Sequence, residues 1–175
     1  ILVMGWSQLL NSEIISIPKI GIIGSHPTEL PKYRGRAPIP WSILKGLEKS
    51  ALTLFFIEKG TDDGDILDQK IFKISPNDDA YSVYQKVESV GKEMILNNLP
   101  KLQHGNYTRK KQDSSEFIEY WPKREVEDGI IDWSKSSQEI HTLIRAVTHP
   151  YPGAYTIFNG LKLIIWNAEF SNEKS

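Results

Sequence analysis

The chain has no cysteine among its 175 residues, so disulfide bonds, thiolate nucleophiles and cysteine-ligated zinc are excluded. It also lacks any apolar run near the ~18 residues that a membrane-spanning helix requires, and no stretch has the layout of a secretory signal peptide. Neither sign of charge prevails, because the formal net charge is -1, and this balance argues against a protein devoted to the nucleic-acid backbone. Together these absences predict a cytoplasmic protein without a membrane partner.

The first part of the chain alternates strand patterns with helical patterns. Short apolar runs that are typical of buried strands occur at "ILVM", "IGII", "SALTLFFIEKG" and "GDILDQKIFKI". Helical segments separate or follow them, namely "NSEIISIP", "APIPWSILKGL" and the long amphipathic "DDAYSVYQKVESVGKEMILNNLPKL". This alternation predicts an α/β fold with a mostly parallel sheet. Because the chain opens inside an apolar strand pattern, we expect further strands upstream.

The sequence turns polar after Gly105. Its one strongly basic run, Arg109 to Lys111, is interpreted as a solvated loop rather than a nucleic-acid patch, since short charge runs usually mark exposed loops. Farther along, "SQEIHTLIRAV" has helical spacing, and the following segment predicts a β-hairpin that turns at Asn159-Gly160. The second part is therefore expected to be small and rich in β structure.

His26 lies just past the apolar run that ends at Ile23, and Pro27 and Pro31 stiffen the loop that follows. The carboxyl edge of an open α/β sheet is where ligands bind, and a rigid loop holds an imidazole in one geometry, as acid–base chemistry near neutral pH requires. A lone histidine at a strand end is nevertheless more often a structural residue with satisfied hydrogen bonds. The residues alone leave both interpretations open.

A second cluster, "GTDDGD" from Gly60 to Asp65, places three carboxylates and two glycines after an apolar strand. Asp and Gly dominate turns for backbone reasons, so a plain hairpin turn explains the composition. Calcium is a weak alternative, because the loop lacks EF-hand spacing. In the functional interpretation, a carboxylate from this loop lies beside His26, orients it and stabilises its protonated form.

In their order along the chain, "SHPTELPKYRGRAP", "GTDDGDIL" and "HTLIRAVTHPYPGAYTIFNGLKLIIWNAE" resemble the formyltransferase family that uses 10-formyltetrahydrofolate. That family includes methionyl-tRNA, glycinamide ribonucleotide and nucleotide-sugar N-formyltransferases. The resemblance implies a Rossmann-like, mostly parallel sheet, of which this chain holds only the later strands, and a small β-rich C-terminal segment. Residues 1–105 would form the catalytic core without its first strands, and residues 106–175 a linker and the start of a C-terminal β-rich subdomain.

Carried over residue by residue, the resemblance implies catalytic roles for His26 and for Asp62, which fall on the family histidine and aspartate. The segment Thr28 to Pro31 matches a Ser-Leu-Leu-Pro stretch along the folate site, and "MGWSQLL" matches a turn that walls the pterin pocket. The implied donor-site residues are Trp6, Gln8, Leu9, Thr28, Glu29, Leu30, Pro31 and Thr61, and the implied acceptor-site residues are Tyr33, Arg34 and Arg36.

In this family 10-formyltetrahydrofolate supplies a formyl group that passes directly to an amine, without a metal or a covalent enzyme intermediate. A protonated His26 is expected to donate to the oxyanion of the tetrahedral intermediate, while Asp62 holds the imidazole and relays protons through water. One position departs from the family pattern. The family asparagine, two residues before the histidine, is replaced by Gly24, which has no side chain to donate.

The expected acceptor is the primary amine of a nucleotide-linked amino sugar. Arg36 in "KYRGRAP" and the near-neutral charge favour it over methionyl-tRNA, the alternative in which the partner is a nucleic acid. Because of Gly24, a catalytically weak folate-binding or interaction module of the same fold is a further alternative. A hydrolase that releases formate, with His26 and Asp62 activating water, is a smaller one. The expected assembly, if any, is a homodimer.

Overall fold

The computed structural model describes residues 1–113, 115 and 117–170. The strands are β1 (Leu2–Val3), β2 (Ile23–His26), β3 (Tyr33–Gly35), β4 (Lys49–Phe56), β5 (Ile66–Lys73), β6 (Glu119–Trp121), β7 (Ala154–Phe158) and β8 (Leu161–Ile165). The helices are α1 (Ser12–Ser16), α2 (Pro38–Leu44), α3 (Ala80–Gln103) and α4 (Ser137–Val147), with a 3-10 turn at Val126–Gly129. None of the helices in the described part of the chain is long and apolar enough to cross a bilayer.

The central sheet has four strands in the order β1–β2–β4–β5. The α/β class is confirmed, but within this chain the sheet is mixed, because only β1 and β2 are parallel, whereas β4 is antiparallel to both β2 and β5. The loop 57–65 between β4 and β5 explains the second antiparallel pair. A parallel return needs a crossover of about a dozen residues or more, usually with a helix, and this loop is too short for one.

The strand that carries His26 lies three residues farther along the chain than the apolar run predicts. Gly21 has a φ of 124°, and β2 begins only at Ile23. His26 is therefore the last residue of the strand, opposite Thr53 of β4, rather than the first residue of a loop. The backbone of β2 fixes the position of the imidazole, and the prolines act on the segment after it.

A second, two-stranded sheet joins β3 to β6 in parallel, and the sequence did not predict it. Both strands have three residues, too few for a recognisable alternation, and they come from segments more than 80 residues apart. Gly35 allows their close approach. Its φ is 105°, and a Cβ at this position would overlap the carbonyl oxygen of Trp121. Part of the stretch "KYRGRAP", which follows the loop stiffened by Pro27 and Pro31, is thus a strand.

One apolar core connects the two parts of the chain. It combines residues of α2, β5 and α3, and the residue that follows β5, with residues of α4 and β7, namely Ile39, Ile43, Phe72, Ile74, Val83, Ile144, Val147 and Ala154. The intervening segment is docked as well, since Lys110 exchanges two backbone hydrogen bonds with Ile66. Arg109 contacts Glu58 and Asp65 and lies 3.8 Å above the ring of Phe56. The basic run was expected to be a solvated loop, but Arg109 and Lys110 contact residues of the folded core.

The C-terminal elements match their predicted positions. Helix α4 begins with a capping box between Ser136 and Glu139. The hairpin of β7 and β8 turns at Asn159 and Gly160, whose φ angles of 49° and 79° suit the left-handed turn that such a pair favours. The small β-rich C-terminal segment is confirmed. The domain boundary at residue 105 stays a prediction.

Replacing Gly35 by alanine tests whether the close approach of β3 and β6 matters for stability. The added Cβ combines unfavourable backbone conformation with overlap against backbone that cannot move away, so we expect a loss of about 3 kcal/mol or more. The matched control is Gly46→Ala, where φ is 64° but no atom lies within 4 Å of the new Cβ, and where ~1 kcal/mol is expected. Urea unfolding measures both, and equal losses would contradict the packing argument.

Candidate functional site

A cleft of about 620 Å³ opens at the end of β2, a size typical of small-molecule sites. Its walls come from the turn after β1, the start of α2, the loop 60–62 and the segment after β6. The predicted site residues that line it are Trp6, Gln8, Leu9, His26, Arg36, Thr61 and Asp62. The predicted residues that do not line it are Thr28, Glu29, Leu30, Pro31, Tyr33 and Arg34.

His26 and Asp62 meet at this cleft, as the functional interpretation of the two motifs requires. The imidazole is only 5% exposed. Its Nε2 lies 2.8 Å from the carbonyl oxygen of Tyr33, and its Nδ1 lies 3.7 Å from Oδ2 of Asp62. A carbonyl oxygen can only accept a hydrogen bond, so Nε2 carries the hydrogen. In the neutral ring, Nδ1 is then the unprotonated nitrogen, and it faces the carboxylate.

Burial lowers the pKa of His26 below its ordinary value, because the charged imidazolium loses its hydration. The negative charge of Asp62 and the carbonyl of Tyr33 oppose this effect without cancelling it. Burial therefore disfavours the protonated form of His26 that the expected oxyanion donor requires. At neutral pH the ring is neutral and is able to accept a proton at Nδ1.

Asp62 is held by the backbone of a distant strand. Its φ of 52° lies in the left-handed region, which Asp tolerates better than most residues. Its Oδ2 accepts a 2.9 Å hydrogen bond from the amide of Gly35. The same oxygen faces His26. Gly35 thus takes part in the site through its backbone, a role for which the sequence carries no side-chain signal.

The predicted folate segment is folded into the interior. Thr28 is fully buried; its hydroxyl donates to the carbonyl of Tyr33 at 2.7 Å, and its own carbonyl accepts from Thr53. Leu30 is 2% exposed, and its carbonyl accepts from the side chain of Gln69. Glu29 pairs with Lys32 at 3.2 Å. These contacts fix the shape of the loop, and a direct role in donor binding stays a prediction.

The three predicted acceptor residues have different surroundings. Tyr33 stacks on Trp121 with ring centroids 4.7 Å apart. Arg34 is 8% exposed, and its guanidinium is bound by the side chains of Gln112 and Tyr120. Arg36 lines the cleft. Of the three, Arg36 is the one placed to meet a ligand there.

Gly24 also lines the cleft, and the space beside it is occupied. A Cβ built on Gly24 would lie 3.0 Å from both Cγ1 and Cδ1 of Ile57 and 3.3 Å from the ring of Phe55. A larger side chain at this position would require the side chain of Ile57 to move. The absence of a side chain at position 24 therefore leaves no cavity, because Ile57 and Phe55 occupy the space.

Residues 1–99 match the sequence profile described as formyl transferase, and residues 123–175 match that of the formyl transferase C-terminal domain. The chain belongs to the formyltransferase family. This confirms the resemblance that the sequence motifs indicate. Members of the family are folate-dependent N-formyltransferases. The two profiles leave residues 100–122 between them, a segment that includes Gln112.

Relatives of the formyltransferase family act on more than one acceptor. The methionyl-tRNA formyltransferase of Clostridioides difficile (strain 630) is 38% identical over 175 residues, which are 100% of this chain and 56% of that protein. A sugar 3N-formyltransferase solved with dTDP and 5-N-formyl-THF has a TM-score of 0.77 and 26% identity, covering 98% of this chain and 61% of that one. The Helicobacter canadensis N-formyltransferase, solved with folinic acid and dTDP-3-aminofucose, has a TM-score of 0.71 and 30% identity. The match covers 86% of this chain and 55% of that one. The chain spans about half the length of the curated relatives it matches.

Replacing Asp62 by asparagine should lower the pKa of His26 further, because the carboxylate is what favours the imidazolium. An NMR titration of the imidazole measures the shift. Asp63→Asn, on an exposed neighbour, is the control and should change this pKa little. A rise in the pKa of His26 after Asp62→Asn would contradict the geometry.

The same buried imidazole predicts how stability depends on pH. The unfolded chain binds a proton at this residue near pH 6.5, whereas the folded chain binds it only at lower pH. The unfolded state then binds more protons between these two values, so the contribution of His26 to stability is present above about pH 6.5 and is lost as the pH falls below it.

Proposed function

We propose that the protein to which this chain belongs transfers the formyl group of 10-formyltetrahydrofolate to a primary amine, with His26 and Asp62 as its catalytic groups. The observation that carries the proposal is the pair itself, a buried imidazole whose free nitrogen lies 3.7 Å from a carboxylate at the wall of a ligand-sized cleft. Two separate motifs of the formyltransferase family supply the two side chains.

The pair provides the proton transfers that the reaction needs. Attack of an amine on the formyl carbon forms a C–N bond and leaves a surplus proton on the attacking nitrogen. His26, neutral at pH 7, accepts this proton at Nδ1 through water, and Asp62 stabilises the imidazolium that results. The imidazolium then donates this proton to the folate nitrogen, as the carbonyl re-forms and the bond between that nitrogen and the formyl carbon breaks. The role of His26 in this sequence is that of a base first and an acid second.

The site is less well equipped to stabilise the oxyanion than to transfer protons. A side-chain donor at position 24 is absent, and Ile57 fills the adjacent space. Loss of a single oxyanion donor costs roughly 100- to 1000-fold in rate. We therefore infer that transfer is slow, or that backbone groups around the cleft donate instead. A folate-binding module without turnover is the limiting case of the first outcome.

Methionyl-tRNA is our first candidate for the acceptor. The 38% identity to a methionyl-tRNA formyltransferase extends over the whole chain, which exceeds the identity to the sugar enzymes. A nucleotide-linked amino sugar is the second candidate, supported by Arg36 and by the fold neighbours solved with dTDP or dTDP-3-aminofucose. Basic residues line the cleft in Arg36, Lys123 and Arg124. This rim suits either acceptor, because both carry phosphate groups.

Replacing His26 by alanine should reduce formyl transfer by about 100-fold or more, because the proton acceptor is lost. Transfer is measured with both candidate acceptors, and binding of 5-formyltetrahydrofolate is followed by calorimetry, where little change is expected. His104→Ala, on an exposed histidine whose ring contacts the carbonyl of Pro100, is the control. A near-wild-type rate in His26→Ala would falsify the catalytic assignment, and donor binding without any wild-type transfer would favour the folate-binding module.

Restoring a side-chain donor should accelerate transfer only when space is made for it. We expect Gly24→Asn combined with Ile57→Ala to transfer formyl groups about 10-fold faster or more than Ile57→Ala alone, a fraction of what one oxyanion donor contributes. Gly24→Asn alone should gain less, since the new side chain meets Ile57. If the double variant shows no gain, the oxyanion is stabilised by another group.

A further inference from the structure

Gln112 lies outside both matched regions, in the segment that follows α3, and it reaches back to the loop that carries Asp62. Its Nε2 donates to the carbonyl of Asp62 at 2.7 Å and to the carbonyl of Gly64 at 2.8 Å. A side-chain amide has two N–H groups on this nitrogen. Both are therefore used to hold the backbone of one loop.

Arg34 determines which way the amide of Gln112 points. Its Nε and Nη2 approach Oε1 of Gln112 at 3.2 and 2.7 Å, and its Nη1 approaches the hydroxyl of Tyr120 at 3.1 Å. A guanidinium can only donate, so the end of the amide that it contacts is the oxygen. The NH₂ end then faces the loop. The planar fork of arginine gives this contact a direction that a lysine ammonium would not.

One residue of the loop has an unfavourable backbone conformation, which these hydrogen bonds help to offset. Asp62 has a φ of 52°, a left-handed conformation that costs a non-glycine residue about 1–2 kcal/mol. The amide of Gly35 binds the carboxylate of Asp62 at 2.9 Å. Gln112 binds the backbone carbonyl of the same residue. Between them, the carboxylate is fixed in the direction of His26.

We propose that Arg34 and Gln112 are positioning residues that keep Asp62 against His26, so that the segment between the two matched regions is part of the formyl-transfer site. The expected effect on the rate of formyl transfer rests on the proposed function, whereas the claim that these residues position Asp62 does not. The proposal also gives Arg34 a different role from the acceptor contact expected from the resemblance. Its guanidinium donates to Gln112 and Tyr120, and neither Arg34 nor these two partners line the cleft.

The test replaces Gln112 by methionine, which has similar length but no polar group, and Arg34 by lysine, which keeps the charge but not the fork. The pKa of His26 is measured by NMR in the full-length protein, and kcat and KM for the formyl donor are measured in parallel. The carboxylate of Asp62 lies 3.7 Å from Nδ1 of His26 and favours the charged form of the ring, so a displaced carboxylate should shift this pKa downward, toward its value in Asp62→Asn. We expect kcat to fall by about 10- to 100-fold in Gln112→Met, with KM for the donor nearly unchanged and a smaller effect in Arg34→Lys.

Arg109→Gln is the matched control. Arg109 belongs to the same segment and contacts Glu58 and Asp65, and among the described residues no hydrogen bond or ion pair joins it to Asp62. Its replacement should leave the pKa of His26 unchanged. An unchanged pKa in folded Gln112→Met would overturn the proposal, and so would an equal shift in Arg109→Gln, which would trace the effect to docking of the segment as a whole.

Two further outcomes are separable. If Gln112→Met does not fold, as judged by circular dichroism, the pKa of His26 in Arg34→Lys decides the question, and an unchanged value there overturns the proposal. If the pKa shifts as expected but the wild-type protein transfers no formyl group to either acceptor, the positioning role stands and the proposed function fails.

Discussion

The placement of one carboxylate, that of Asp62, is the constraint on which the candidate site depends. A buried neutral imidazole becomes a useful base only if something nearby stabilises its charged form, and here that group is 3.7 Å away. The carboxylate stays there because an amide from β3 binds it, and β3 in turn is fixed by its parallel pairing with β6. The chemistry of the cleft therefore depends on chain far from the two catalytic motifs.

The sequence predicts elements well where their signal is local. Helix α4 was predicted to the residue, and the hairpin turn at Asn159-Gly160 follows from two residues that tolerate left-handed backbone. Strand β2 was placed too early because an apolar run does not show where a glycine bends the chain. Strands β3 and β6 were missed because three residues have no period and their partners lie far apart in sequence. The antiparallel direction of β4 against β2 likewise depends on pairing between strands that other elements separate in the chain.

The residues of the candidate site also divide into those with a local sequence signal and those without one. His26 and Asp62 could be found, since each is a reactive side chain in a recognisable motif. Gly35 and Gln112 could not, because one acts through its backbone amide and the other is an ordinary glutamine in a polar stretch. The state of His26 was also out of reach. Whether an imidazole is charged depends on its burial, and burial is a property of the assembled fold.

The side chain of Ile57 occupies the space that a side chain at position 24 would need, and this links the substitutions that the two positions tolerate. Two positions that share one volume do not change independently: a side chain added at the first is accommodated only after the second has become smaller. Each single step toward an asparagine at position 24 therefore passes through an overpacked or an underpacked intermediate. With isoleucine at position 57, an asparagine at position 24 therefore requires repacking as well as the substitution itself.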